Sequence, residues 1–213
     1  MTRWAMVVDL TRCIGCKSCI SACSLANAVS EGLWRKLDEL EAPKPPERQR
    51  IFATRSCMHC EDPPCKKVCP TGATIQRTDG IVEIDYEKCV GCGYCIVACP
   101  YDARVIFRYR HSFQADTSLT QKSERKAYEN REGVCTKCDF CVNRIENGRK
   151  KNLKPGVDPE ATPLCVATCS CGALSFGDLA NPQSSISKLI KGRNTIRIFD
   201  QLDTKPSVYY IIA

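Results

Sequence analysis

The sequence predicts an α+β fold of small β-hairpins and short helices, with polar insertions, held together by its cysteines. Three observations predict it. The 213 residues include 18 cysteines, and these fall into regularly spaced blocks. Short β-prone runs flank the blocks, and turn residues separate them. Apolar residues make up 43% of the chain, but aromatics only 7%, and 12 Gly and 12 Pro interrupt it. Small lobes of this kind bury too little apolar surface to stand alone, so something bound by the cysteines has to act as the staple.

The first block is Cys13, Cys16, Cys19 and Cys23, spaced C-x2-C-x2-C-x3-C. The second is Cys57, Cys60, Cys65 and Cys69, spaced C-x2-C-x4-C-x3-C, with Pro70 after it. The third, Cys89, Cys92, Cys95 and Cys99, repeats the first spacing and ends on Pro100. The fourth is split: Cys135, Cys138 and Cys141 precede a long insertion, and Cys165, Cys169 and Cys171 follow it. This is an internal repeat.

The spacing has a chemical meaning. Three thiolates at i, i+3 and i+6 on a looping backbone can each reach a different iron of one [4Fe–4S] cubane. The fourth iron then takes a thiolate from elsewhere, as in two-cluster ferredoxins, where the last cysteine of the run ligates the other cluster. Blocks therefore work in pairs. Structural zinc would use two CxxC pairs in a tetrahedral set, which the triplets match poorly. A disulfide framework calls for a secreted chain. The start, MTRWAMVVDL, runs into Cys13 with no apolar run of signal-peptide length, so reduced cysteines at metal-ligand spacing are expected. No apolar stretch approaches the length of a membrane span.

The formal charge of +7 counts every cysteine as neutral. Sixteen thiolates with four oxidised cores would add roughly −8 and bring the holoprotein to roughly −1. The Lys and Arg excess then reads as counter-charge for anionic clusters, and no nucleic-acid partner is expected.

The elements follow in order. Ala5 to Leu10 is expected to form a strand leading into the first block, and the residues after Cys19, Cys65 and Cys95 short helices. Thr74 to Arg77 and Ile81 to Ile84 are expected to form a hairpin about Thr78-Asp79-Gly80. Arg104 to Arg108 and Ala173 to Phe176 supply strands after the third and fourth blocks. Strand, cluster loop, short helix, cluster cysteine and strand is the ferredoxin-like order. Pro43 to Arg50 is a polar connector. Tyr109 to Gly133 is a long polar segment, either a solvated loop or a partner-binding insertion. No nucleophile–base pair and no Gly-rich phosphate loop occur, so the chain by itself is expected to be non-catalytic. Of the two histidines, His59 and His111, the first sits between cluster cysteines, where a structural role is expected.

The residues resemble a known family at this point. The stretches MVVDLTRCIGCKSCISAC from Met6, CMHCEDPPCKKVCPTGA from Cys57 and IVEIDYEKCVGCGYCIVACPYDAR from Ile81 carry the resemblance, with KCDFCVNRIENG from Lys137 and TPLCVATC from Thr162. They are similar to the iron–sulfur subunit of the dimethyl-sulfoxide reductase superfamily. FGDLANPQS from Phe176 and TKPSVYY from Thr204 resemble its polysulfide reductase type. The resemblance implies two ferredoxin-like dicluster lobes, one from the first and fourth blocks (1–45 and 130–213) and one from the second and third (46–112), with a polar insertion at 113–129. It implies a carrier of electrons between a molybdopterin catalytic subunit and a quinone-reactive membrane subunit, in a complex acting on a sulfur compound. The equivalent subunit of a formate dehydrogenase, hydrogenase or arsenate reductase complex, or a free polyferredoxin, is the alternative. Membrane association would come through a partner, after assembly in the cytoplasm.

With the crossing rule, this lobe pairing implies four ligand sets. Cluster 1 takes Cys13, Cys16, Cys19 and Cys169. Cluster 2 takes Cys138, Cys141, Cys165 and Cys23. Cluster 3 takes Cys57, Cys60, Cys65 and Cys99, and cluster 4 takes Cys89, Cys92, Cys95 and Cys69. The fourth block leaves two registers open. Spacing alone favours the triplet Cys135, Cys138 and Cys141. The family's K, R and G around its first CxxC match Lys137, Arg144 and Gly148 and favour Cys138, Cys141 and Cys165. So does the C-x3-C step from Cys165 to Cys169, which the other blocks share. Relatives carry C-P-x-G-A where this chain has Cys169-Ser170-Cys171-Gly172-Ala173, so Cys135 and Cys171 are extra cysteines, and the second register is preferred.

Overall fold

The computed structural model describes residues 1–41, 50–108 and 131–212. Most of the connector at Pro43 to Arg50, and residues 109–130 with His111 and the insertion at 113–129, lie outside the described residues. The fold is mixed α+β, with small sheets and short helices.

The strand expected at Ala5 to Leu10 is β1 (Trp4–Asp9). Every residue of it is buried, because it lies inside a sheet covered on both faces. β8 (Leu174–Asp178) pairs with it antiparallel, and β10 (Val208–Ile211) parallel, Met6 facing Val208. β9 (Thr195–Ile196) closes the order β8-β1-β10-β9. Alternation splits β1 between two cores. Trp4, Met6 and Val8 enter the main cluster, with Trp34, Ile81, Phe140, Phe176 and Tyr210. Ala5 and Val7 face the other way, against Ile186 of the helix Ser185–Gly192.

Helix α1 (Ser18–Asn27) follows the first cysteine loop, and α2 (Pro64–Lys67) and α3 (Tyr94–Val97) are single turns at the second and third. β4 (Thr74–Gln76) and β5 (Val82–Ile84) pair as the expected hairpin, whose turn reaches φ 85° at Gly80. A second hairpin, β2 (Lys36–Glu41) with β3 (Arg50–Arg55), escaped the sequence reading; Arg50 opens β3 rather than ending a connector. β6 (Val105–Ile106) pairs with β7 (Cys135–Thr136), joining the segment after the third block to the one before the fourth. Arg131 to Gly133 also belong to this turn, since Gly133 N–H donates to the Phe107 carbonyl at 2.9 Å.

The span between Cys141 and Cys165 is a folded return. α4 (Val142–Lys150) runs out, and a 3-10 turn at Pro159–Ala161 brings the chain back. Arg144 ties the two together, Nε donating to the Thr162 carbonyl at 3.0 Å and Nη2 to the Pro159 carbonyl at 2.7 Å. Gly148 permits the approach: a Cβ there would lie 2.3 Å from Ala161 Cβ. Arg144 and Gly148 thereby deliver Cys165, on α5 (Leu164–Ala167), back towards Cys138 and Cys141.

Candidate metal centre

Each cysteine block makes a tight loop, and the backbone shows how. In one CxxC of every block the residue before the second cysteine turns left-handed: Gly15 at φ 70°, His59 at 44°, Gly91 at 67° and Phe140 at 59°. Such a turn wraps the chain around a void and gives the flanking thiols a common target. Gly15 and Gly91 adopt it without a Cβ penalty. His59 and Phe140 adopt it against their preference and are clamped, their rings stacked with centroids 3.7 Å apart. Lys137, between Cys135 and Cys138, makes no such turn, so the loop belongs to Cys138-x2-Cys141.

The loops bring the cysteines together in groups. Cys57, Cys60, Cys65 and Cys99 line one small pocket, beside Arg104. Cys13, Cys16, Cys19 and Cys169 line a second, joined by Cys171. Cys69, Cys89, Cys92 and Cys95 line a third, joined by Cys135. The fourth group is the most buried. Burial raises the Cys23 thiol, and the adjoining sulfurs of Cys138, Cys165 and Cys141 raise it further. Cys135 therefore sits with the third block, although sequence counts it with the fourth. All eighteen cysteines are free thiols. Among the described residues, no three His, Cys, Asp or Glu side chains converge tightly enough for a single metal ion. Groups of four or five thiols, three of them from one run, suit a polynuclear cluster better than a mononuclear zinc.

Buried cations stand between the groups. Arg35, 2% exposed, donates to Thr54 Oγ1 at 3.1 Å and Ser56 Oγ at 3.2 Å. Burial opposes its charge, but the sulfurs of Cys165, Cys138, Cys19 and Cys23 outweigh that and hold its pKa above the ordinary value. Arg104, 3% exposed, is held the same way against burial by Cys65, Cys57, Cys135 and Cys95. Lys137 donates to the carbonyls of Val82 and Cys138. His59 stays neutral, through burial and then the charges of Lys137 and Arg104; its Nδ1 accepts from the Val82 N–H at 3.0 Å, which leaves the proton on Nε2. Sequence reasoning singled out neither arginine, because an isolated Arg carries no pattern.

The donor set fits an anionic sulfur cluster. Arg104 Nε and Nη2, beside the thiols of Cys57, Cys60, Cys65 and Cys99, are buried without a hydrogen-bond partner, and such donors need an acceptor. Burial pushes the Cys60 and Cys138 thiols up to about 12 and Cys65 to about 11. The hydrogen bond with Cys135 pulls Cys95 down to about 6.

Small hairpins and short helices around grouped thiols and buried cations define an iron–sulfur protein of the ferredoxin type. A family model described as a 4Fe-4S dicluster domain matches residues 49–124, and one described as a 4Fe-4S binding domain matches residues 4–25. The chain is 38% identical to a selenate reductase subunit of Mesobacillus selenatarsenatis, over 98% of this chain and 72% of that one. It is 36% identical to a tetrathionate reductase subunit of Salmonella typhimurium, over 98% and 72%. It is 34% identical to the iron–sulfur cluster-binding subunit of menaquinone reductase of Nitratidesulfovibrio vulgaris, over 98% and 88%. The chain belongs to their family, the iron–sulfur electron-transfer subunits of the dimethyl-sulfoxide reductase superfamily. Among the described residues, no helix is long and apolar enough to cross a membrane.

Proposed function

We propose that the chain carries four [4Fe–4S] clusters between a molybdopterin-containing catalytic subunit and a quinone-reactive membrane subunit, in an oxidoreductase of the polysulfide reductase type acting on a sulfur compound. The observation that carries the reading is the convergence of the cysteines in four groups, each drawing on more than one block. The ligand sets are Cys13, Cys16, Cys19 and Cys169; Cys138, Cys141, Cys165 and Cys23; Cys57, Cys60, Cys65 and Cys99; and Cys89, Cys92, Cys95 and Cys69. Residues 1–45 with 130–213, and residues 46–112, make the two ferredoxin-like lobes.

Bound there, the clusters supply one-electron redox chemistry with no group transfer. The cysteines hold the irons and close each set across two blocks. Arg35 and Arg104 keep positive charge between neighbouring sets, which offsets the anionic load and lowers the cost of adding an electron. His59 and Phe140 stack between the second-block and fourth-block loops and keep water out of the middle of the chain. Cys16 and Cys92 are exposed, so the sets that contain them offer points of electron entry and exit. By the family resemblance, the set of Cys16 faces the catalytic subunit and the set of Cys92 the membrane subunit. Assembly in the cytoplasm and attachment to the membrane through that partner complete the proposal.

The test is composition. Anaerobically prepared protein should contain about sixteen iron and about sixteen acid-labile sulfide atoms per chain. Eight irons, or substantial zinc, would overturn the reading. Copurification with a large molybdopterin subunit separates this role from that of a diffusible polyferredoxin.

A further inference from the structure

Cys135 is a cysteine that no ligand set requires, yet it is 1% exposed and set among ligand sulfurs. Its Sγ lies 3.4 Å from Cys95 Sγ, and its backbone N–H donates to Cys89 Sγ at 3.4 Å. Arg104 Nη1 stands 3.9 Å from the same sulfur. The placement is held from two sides. Cys135 faces Ile106 in the β6–β7 ladder. Two residues earlier, the Gly133 carbonyl presses so close to the third-block loop that a Cβ on Gly91 would lie 2.1 Å from its oxygen. The segment therefore cannot drift from Cys89 and Cys95 without opening both contacts.

Three other roles fit these contacts less well. A disulfide with Cys95 would need the sulfurs at about 2.05 Å. A ligand role would put five thiols on four irons, since Cys89, Cys92 and Cys95 of the third block, with Cys69 of the second, already fill the proposed set. A small buried hydrophobe would account for the burial but not for an N–H aimed at one ligand sulfur and a thiol hydrogen-bonded to another.

We infer that Cys135 is a positioning residue that sets the potential of the cluster held by Cys69, Cys89, Cys92 and Cys95; this rests on the four-cluster reading above. With Cys95 bound to iron as a thiolate, only Cys135 has a proton to give, so its S–H donates to Cys95 Sγ while its N–H donates to Cys89 Sγ. Reduction adds one electron, whose charge spreads onto the sulfurs. Donors to those sulfurs stabilise the reduced form more than the oxidised one and raise the potential. The proton stays on Cys135 throughout.

The experiment is a potentiometric titration of the full chain, followed by EPR and paired with iron analysis, on the wild type, Cys135→Ala and Cys135→Ser. Alanine removes the S–H and keeps the N–H. Cys135→Ala should keep full iron and lower one midpoint of the four, with roughly a tenfold smaller reduced-to-oxidised ratio at the wild-type midpoint, about 59 mV for one electron. Cys135→Ser keeps a donor and should fall between. Full iron with every midpoint unmoved in both variants would overturn the inference and leave only packing. Loss of one cluster's iron in both would overturn it by making Cys135 a ligand. A wild-type chain holding fewer than about sixteen irons would overturn the four-cluster reading first, and this inference with it.

Discussion

Arg35→Met tests the counter-charge directly. The substitution keeps an unbranched chain in the core but removes a guanidinium 2% exposed to solvent. It leaves Thr54 Oγ1 and Ser56 Oγ, which accepted at 3.1 and 3.2 Å, free to find other donors. The sulfurs that hold the arginine charged belong to two proposed sets: Cys19 to one, and Cys23, Cys138 and Cys165 to the other. A unit charge at about 4–6 Å, in an effective dielectric of about 20, is worth about 3–4 kcal/mol. An added electron is delocalised over the whole cluster and so lies farther off on average. About 2 kcal/mol per cluster is then expected, or about 90 mV on the scale of 59 mV per tenfold. Two of four midpoints should fall by this amount in an EPR-monitored titration, and the other two should hold still. Unchanged midpoints at full iron content would refute the counter-charge argument. An equal fall in all four would show that Arg35 acts through the fold.

Three further outcomes are expected. Gly148→Val forces a side chain against Ala161, so the return to Cys165 should be strained by about 1–3 kcal/mol. The apparent thermal midpoint should drop by roughly 2–4 °C per kcal/mol, and an unshifted melt would mean the turn yields freely. Iron uptake by the apo chain should quicken from pH 7 to pH 9. Iron binds the thiolate, whose share in the unstapled chain grows as pH rises through the ordinary thiol pKa of about 8.5; a flat rate against pH would contradict this. Cys165→Ser should lose or convert one cluster, while Cys171→Ser should keep all four; iron content and low-temperature EPR decide, and the reverse pattern would overturn the proposed sets.

What the sequence by itself determined is local. The C-x2-C loops, the hairpin about Thr78-Asp79-Gly80, the strand at Ala5 to Leu10 and the short helices after Cys19, Cys65 and Cys95 all follow from spacing, turn residues and propensity over a few positions. Lys137, Arg144 and Gly148 were legible as a pattern, but not as the parts that tie the fourth-block return together. The tertiary structure decided what long-range pairing decides. β1 joins β10 across nearly the whole chain, and β2 meets β3 across a connector that interrupts the pattern. Cys135, written beside the fourth block, goes to the third because the β6–β7 ladder and the Gly91–Gly133 contact carry it there. Arg35 and Arg104 read as two of 31 basic residues until folding buries them between the thiols. The physical reason is the same in each case. A ligand loop is specified by neighbours in the chain, whereas a counter-charge or a hydrogen bond to sulfur is specified by neighbours in space, and those emerge only when the chain folds.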